Sequence, residues 1–216
     1  MTTIQIIELI SALLGVAGVW LNTKPHILGW PVGIVSVVLA SLVYFESRLF
    51  AEFGLQIFYT ISGFYGWWKW HSEGNQELGI GNQETGISNQ EVGFGNQELG
   101  IRKQRSGIRK IKSLELIFSA VSGIVLTIVI CYFLKNNTTA DSPWLDSGLA
   151  AFSLIGQIWL ARKYIENWLL WGFINLISIG LYFYKELWFF LGFFSVLFLM
   201  SIWGYVSWRS KMKTEI

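Results

Sequence analysis

The sequence predicts an all-α polytopic membrane protein with seven transmembrane helices. The chain has 216 residues, of which 53% are hydrophobic and only 14% are charged, whereas soluble domains typically carry about 25% charged residues. The charged residues are concentrated in short intervals between long apolar runs, as in helical membrane proteins. In addition, the two halves of the chain resemble each other at a constant offset of 138 residues, for example from Trp30 to Trp168.

Each apolar run is long enough to cross a hydrocarbon core of about 30 Å at a rise of about 1.5 Å per residue. The least apolar run begins beside Asp146 and contains Gln157. Short connections such as Asn22–His26 predict antiparallel neighbouring helices. The predicted spans are 4–21, 27–45, 49–68, 114–134, 145–161, 167–184 and 187–207.

The basic residues predict the orientation of the chain in the membrane. With the N-terminus outside, 13 of the 16 Lys and Arg residues lie inside, and only Arg48, Lys135 and Lys185 lie outside. Seven of the 13 belong to one long loop, and six are spread over the other inside segments. By the positive-inside rule we expect a multi-pass protein of the cell's inner membrane, N-terminus outside and C-terminus in the cytoplasm.

The internal similarity predicts how the helices are organised. An ungapped comparison matches tryptophans and glycines: Trp30 with Trp168, Gly66 with Gly204, and Trp70 with Trp208. A three-helix unit repeated in the same orientation needs one extra crossing, which the span 114–134 supplies. The expected 3-1-3 order has a first bundle (1–70), a linker helix (114–134), a second bundle (144–208) and a tail (209–216). Transporters built from parallel repeats hold their substrate between the halves.

Residues 71–113 are predicted to form a cytoplasmic low-complexity loop. Residues 74–101 contain four copies of a seven-residue unit that resembles GNQELGI. Two glycines in most copies argue against a coiled coil, and the polar composition predicts a disordered insertion. The basic run Arg102–Lys112 is expected to lie against anionic lipid headgroups. Nucleic acid is the weaker interpretation and is not expected as a partner.

Trp168, Trp171 and Asn175 are the strongest candidate functional residues. Their spacing of i, i+3 and i+7 places two indoles and one carboxamide on the same helix face. An amide in an apolar membrane helix is costly unless it faces a partner, a cavity or a ligand. Flat aromatic rings beside it suit a planar, polar small molecule. The alternative for Trp168 is membership of the interfacial aromatic belt.

Gln56 and Tyr59 form a second candidate pair at i and i+3 on the third span. They could line a site or could stabilise helix packing, where an interhelical hydrogen bond in a membrane contributes about 0.6 kcal/mol on average. The intramembrane amide of Gln157 is interpreted as structural.

Several function classes lack sequence support. There is no P-loop, no Ser/His/Asp set and no pair of mid-membrane carboxylates, so neither an enzyme nor an ion-coupled pump is favoured. Cys131 is the single cysteine, and His26 and His71 lie on different segments, so no metal site or cofactor is expected. These observations favour facilitated diffusion.

The stretches ARKYIENWLLWGFINLIS and LQIFYTISGFYGWW resemble the PnuC-type vitamin B3 (nicotinamide riboside) transporters. The resemblance covers both three-helix halves and excludes the insertion at 74–101. The family motif Trp-x-x-Trp-x-x-x-Asn is met by Trp168, Trp171 and Asn175. Gln56 and Tyr59 match the family's polar pair on the third helix.

The resemblance implies a SWEET-like fold, a homotrimer, and a vitamin substrate that is trapped by phosphorylation in the cytoplasm. It also implies that these five residues bind the substrate. Related members carry thiamine or riboflavin, so thiamine or another B vitamin remains an alternative. A non-transporting membrane scaffold or sensor that uses the repeat loop is an alternative of another class. Gly33 and Val37 occupy the positions equivalent to Trp171 and Asn175 in the first half, so an asymmetric site is expected.

Overall fold

The computed structural model describes residues 3–46, 50–77, 107–137, 143–184, 186 and 188–214, and these contain seven α-helices. Four of them (α1, α2, α4 and α7) are long and apolar enough to cross a membrane. The remaining three are α3, α5 and α6, which carry Gln56, Gln157 and Asn175 and several tryptophans. The helices are α1 (Thr3–Thr23), α2 (Gly29–Glu46), α3 (Phe50–Glu77), α4 (Ser113–Asn137), α5 (Pro143–Ala161), α6 (Asn167–Tyr184) and α7 (Trp188–Thr214).

The main difference from the predicted boundaries is the end of α3. This helix continues to Glu77 and therefore includes the first residues of the repeat, which the sequence assigned to a loop. Glu73 lies between two cations, with its carboxylate 3.3 Å from Lys69 Nζ and 3.1 Å from Lys163 Nζ. These ion pairs stabilise a turn that the glycine content alone disfavours. Residues 78–106, which hold the other repeat copies, lie outside the described residues.

Six of the helices form a closed ring. Following the packing contacts around it gives the order α1, α2, α3, α5, α6, α7 and back to α1, while α4 packs on α5 alone among the described helices. In this ring α1 lies opposite α5, α2 opposite α6, and α3 opposite α7. The ring therefore has an inner face to which every one of its six helices contributes.

Two indole hydrogen bonds join the two halves of the ring. Trp208 Nε1, near the end of α7, donates to the Asn22 carbonyl oxygen at the end of α1 (3.0 Å). Trp70 Nε1, on α3, donates to the Ala161 carbonyl oxygen at the end of α5 (3.1 Å). Both bonds are buried, and both connect the last turn of one helix to a helix from the other half.

A tryptophan cluster, made of Trp30, Trp70, Trp168 and Trp208, closes one end of the ring. All four side chains are at most 4% exposed. Trp30 meets Trp70 edge-on at 5.4 Å between ring centroids, and Trp168 meets Trp208 in the same way at 5.5 Å. Trp70 and Trp208 are 6.3 Å apart and link the two pairs. This cluster is the core of the end at which α1, α3, α5 and α7 terminate.

The strap, residues 107–112, lies across the same end. Arg109 exchanges two backbone hydrogen bonds with the α5–α6 turn, to Lys163 O and from Ile165 N, each 3.0 Å long. Ile108 is buried against the tryptophan cluster. The backbone of the strap and Ile108 therefore bind protein, while the side chains of Arg109, Lys110 and Lys112 are exposed. Contact of this basic run with lipid headgroups stays a prediction, and residues 102–106 lie outside the described residues.

Close packing of α1 against α2 depends on Gly18. A Cβ atom at this position would lie 3.1 Å from Gly33 N and 3.2 Å from Gly29 O, both rigid backbone atoms of or beside α2. Gly33 faces the other way, and a Cβ there meets no atom within 4 Å. Gly18 thus permits the close approach, as small residues do at membrane helix interfaces.

We expect Gly18→Ala to lower the free energy of unfolding by about 1–3 kcal/mol, because the backbone of α2 must shift to accept the methyl group. Gly33→Ala is the matched control and should be neutral or stabilising by up to about 1 kcal/mol through helix propensity. Thermal denaturation of the two variants in the same detergent measures the difference. Equal melting temperatures would contradict the packing argument.

Candidate functional site

The candidate motif begins at the α5–α6 turn, which fixes where α6 starts. Lys163 adopts a left-handed conformation (φ 55°), and Tyr164 N donates back to Trp159 O (3.0 Å) to end α5. Asn167 is fully buried, and its Nδ2 donates to Tyr164 O (2.6 Å). These bonds set the rotation of α6 and with it the direction in which its side chains point.

Trp168 is placed by the structure in the tryptophan cluster. Its ring lies directly against Gly204 of α7 and edge-on to Trp208. The Trp30 ring lies against Gly66 of α3 in the same manner, 138 positions earlier. Trp168 is therefore a packed residue at the closed end of the ring, at the rim of any site formed by the deeper residues of α6.

Trp171 lies one turn deeper and is directed at α5. A Cβ atom at Gly156 would lie 3.1 Å from Cε2 of the Trp171 indole and 3.2 Å from its Nε1. The corresponding contact in the first half is Gly18 against Gly33, backbone to backbone. The indole thus lies where the equivalent helices α1 and α2 touch directly, and it acts as a spacer between α5 and α6.

Asn175 lies one further turn along α6 and is 3% exposed. Its neighbours Ile174 and Ser178 are also buried, and the Ser178 hydroxyl donates to Ile174 O (3.0 Å). No hydrogen bond joins the Asn175 carboxamide to another described residue. An amide on an apolar membrane helix is costly unless it faces a partner, a cavity or a ligand, so this position suits contact with a polar ligand.

Gln56 and Tyr59 lie on α3, half-buried, and do not contact α6 directly. The two helices are separated by α5, against which both pack. The Tyr59 hydroxyl lies near the side chain of Ser153 on α5. Trp171 of α6 and Tyr59 of α3 therefore both lie against α5. Gln56 lies one turn before Tyr59 on α3.

The sequence did not identify the part played by α5. Ser153 lies near the Tyr59 hydroxyl, and Gly156, three residues later, contacts the Trp171 indole. The equivalence of Gly156 with Gly18 in the internal repeat was an available signal for a close helix contact. No pattern in the sequence distinguished Ser153 from other small residues in an apolar helix.

The electrostatic character of the site differs from that of the closed end. The five predicted residues are uncharged, whereas Lys163, Arg162, Arg109 and Glu73 all lie at the closed end. There, burial and then the hydrogen bond to Glu115 raise the pKa of Tyr164, so its hydroxyl remains a donor at neutral pH. No group of metal-binding side chains occurs in the described part of the chain.

A groove of about 220 Å³ opens between α4 and α5, and none of the five predicted residues lines it. Phe118, Trp159 and Tyr164 form part of its wall. It faces outward from the ring and is separate from the candidate site.

Comparisons with known proteins identify the family. A family model described as "Nicotinamide mononucleotide transporter" matches residues 5–210. The nicotinamide riboside transporter PnuC of Escherichia coli (strain K12) is 24% identical over 180 residues, covering 82% of this chain and 73% of that protein, and the Shigella flexneri protein of the same name gives the same values.

The fold also has a solved counterpart, the crystal structure of the vitamin B3 transporter PnuC. It matches with a TM-score of 0.69 at 19% identity, over 96% of this chain and 82% of that one. The family expected from the sequence motifs is therefore confirmed, and these relatives are named as transporters, not as enzymes. The chain belongs to the nicotinamide mononucleotide transporter family, whose PnuC-type members it resembles in sequence and in fold.

Proposed function

We propose that this protein facilitates the uptake of nicotinamide riboside across the inner membrane. The observation that carries the proposal is the placement of Asn175 on the buried face of α6, one turn from the Trp171 indole that rests on Gly156. The named relatives of the chain transport this compound. The substrate would occupy the inside of the six-helix ring, next to α5 and α6.

The chemistry of these side chains suits the two parts of the substrate. An indole stacked on the nicotinamide pyridinium gains cation–π attraction of about 2 kcal/mol when water is excluded. We assign this role to Trp171, with Trp168 at the rim. Asn175 and Gln56 would bind the ribose hydroxyls or the carboxamide, and Tyr59, near Ser153 of α5, would form one wall.

The uncharged site favours the riboside over the mononucleotide that the family description names. A mononucleotide carries a phosphate, which proteins bind through Arg, Lys or helix N-termini. The five site residues include no cation, and the described Lys and Arg residues lie at helix ends or in the turns between helices. A phosphate group that entered this site would therefore lose its hydration and gain no positively charged partner.

The 3-1-3 parallel repeat, with SWEET-like order and all seven helices crossing the membrane, is part of the proposal. It is supported by the ring order, in which helices related by 138 residues lie opposite each other. It is also supported by the matched contacts of Trp30 with Gly66 and of Trp168 with Gly204. The basic residues of the closed end favour a cytoplasmic location for that end and for the C-terminus.

Transport by facilitated diffusion, with the substrate trapped by phosphorylation in the cytoplasm, is the proposed mechanism. Glu8 and Glu46 lie near helix ends, and none of the residues assigned to the site is ionisable near neutral pH. A proton or sodium couple therefore has no support in the described chain. Assembly as a homotrimer rests on the family resemblance, and the mass of the detergent-solubilised protein tests it.

In proteoliposomes that contain the purified protein, we expect Asn175→Ala and Trp171→Ala each to lower uptake of labelled nicotinamide riboside about tenfold. A tenfold change is about 1.4 kcal/mol, which lies within the range of about 1–3 kcal/mol for losing one hydrogen-bonding or stacking partner. Leu176→Ala is the control, since Leu176 is on the same helix but 53% exposed on its outer face.

Unchanged uptake by both site variants would refute the site assignment. Stronger inhibition of uptake by thiamine than by unlabelled nicotinamide riboside would favour the thiamine alternative. Absence of any vitamin transport, together with loss of a soluble partner when residues 78–106 are deleted, would favour the scaffold alternative.

We expect Gly156→Ala to raise the KM for uptake and to change the melting temperature little. The added methyl group would displace the Trp171 indole from its contact with α5. Gly148→Ala is the matched control on the same helix, where the nearest atom to an added Cβ is 4.0 Å away. Measuring the KM of both variants in proteoliposomes makes the comparison. The same KM for both would contradict a positioning role for Gly156.

A further inference from the structure

The strap binds the α5–α6 turn through several independent contacts. Besides its two backbone bonds, Arg109 donates from Nε to Arg162 O (3.1 Å), and its guanidinium lies 5.0 Å from the centre of the Tyr164 ring. Two residues later, Ile111 N donates to the Glu166 carboxylate (3.0 Å). The strap is therefore attached to the segment from which α6, with its motif, begins.

The strap also covers the tryptophan cluster and helps to join the two halves. Ile108 packs with the four indoles. Lys163, whose carbonyl oxygen accepts from Arg109 N, pairs with Glu73 of α3 and lies 5.3 Å from the centre of the Trp70 ring. These contacts hold the end of α3 against the start of α6, on opposite sides of the boundary between the halves.

The closed cluster contains polar atoms that have no hydrogen-bond partner among the described residues. Two are indole donors, Trp30 Nε1 and Trp168 Nε1, and two are carboxamide oxygens, of Asn22 and Asn167. Buried groups of this kind disfavour the arrangement that buries them, because water would satisfy them if the cluster separated. The closed arrangement therefore depends on contacts from outside the cluster, and the strap supplies both directed hydrogen bonds and an apolar side chain.

We propose that Ile108 and Arg109 are positioning residues of the transport cycle. They hold the tryptophan cluster closed as a gate between the substrate site and the cytoplasm, and the strap leaves the α5–α6 turn when substrate passes. This inference rests on the proposed function. It differs from that function in concerning the cytoplasmic access to the site rather than the substrate bound there.

A cysteine-accessibility experiment tests the proposal. In a Cys131→Ser background, Ser178→Cys introduces a thiol on the buried face of α6, three residues beyond Asn175. The full-length protein is reconstituted, and a membrane-impermeant thiol reagent is added to the cytoplasmic face or, separately, to the outer face. Ile108→Ser and Arg109→Ala should raise the cytoplasmic labelling rate about tenfold, through a larger population of the open gate. The rate from the outer face should stay unchanged or fall.

Lys110→Ala is the matched control, since it removes one cation from the same strap at an exposed position. It should leave both labelling rates unchanged. Arg109→Ala alters an exposed side chain and keeps the backbone bonds, so it remains informative if Ile108→Ser fails to fold.

Unchanged cytoplasmic labelling in Arg109→Ala would overturn the proposal. Labelling that rises equally from both faces would also overturn it, because that result indicates general loosening of the bundle. The labelling rates need no substrate. Failure of nicotinamide riboside uptake in the unmodified protein would therefore refute the proposed function, while the side-specific labelling would still decide whether the strap holds the gate.

Discussion

The carbonyl groups at the ends of α1 and α5 impose the constraint on which the rest of the bundle depends. A helix leaves its last carbonyl oxygens without intrahelical partners, and where these oxygens are buried, as here, protein groups must satisfy them. At the end of α5, Tyr164 N donates to Trp159 O and Lys163 N donates to Leu160 O. These two hydrogen bonds form a Schellman motif. Ala161 O remains, and Trp70 from the other half donates to it.

The end of α1 has the same geometry with one donor missing. His26 N donates to Leu21 O, as Tyr164 N donates to Trp159 O. The two donors are 138 residues apart in the sequence, and so are the two acceptors. Pro25 stands where Lys163 stands in the second half, and a proline has no N–H to donate. The carbonyl oxygen of Asn22 is therefore left free, and Trp208 donates to it. Each half completes the helix end of the other, so neither half is fully hydrogen-bonded alone.

Within this shared framework the two halves differ where a substrate would bind. Gly18 meets the backbone of Gly33 in the first half, and Gly156 meets the indole of Trp171 in the second. The indole separates α5 from α6, and Asn175 lies on the buried face of α6 one turn further along. The scaffold is preserved by the residues that repeat, chiefly the tryptophans of the cluster and their glycines. We assign recognition of the substrate to Trp171 and Asn175, which have no counterpart of the same type in the first half.

The helices and the spacing of the α6 motif could be predicted from the sequence because hydrophobic periodicity reports which residues share a helix face. Periodicity does not report which helix that face meets. Spacing alone does not separate Trp168 from Trp171, whereas the repeat pairs Trp168 with Trp30 and Trp171 with Gly33. In the structure Trp168 packs into the cluster and Trp171 rests on Gly156. The strap was missed because Ile108 and Arg109 are held by backbone bonds to a distant turn, which no local pattern encodes. Ser153 was missed because a small hydroxyl in an apolar helix most often bonds its own backbone.

The placement of charge links the strap, the cluster and the proposed site. Lys163 is buried yet paired with Glu73 and set over Trp70, so the cationic end of the bundle contributes packing as well as topology. The site itself is neutral. A carboxylate beside the pyridinium would bind the substrate more tightly and slow its release to either side of the membrane. Transport requires binding that is weak enough for the substrate to leave the site. In the proposed site, an indole and an amide would recognise the cation and its hydroxyls without a fixed counter-charge. That balance suits a carrier whose net flux depends on the removal of substrate in the cytoplasm.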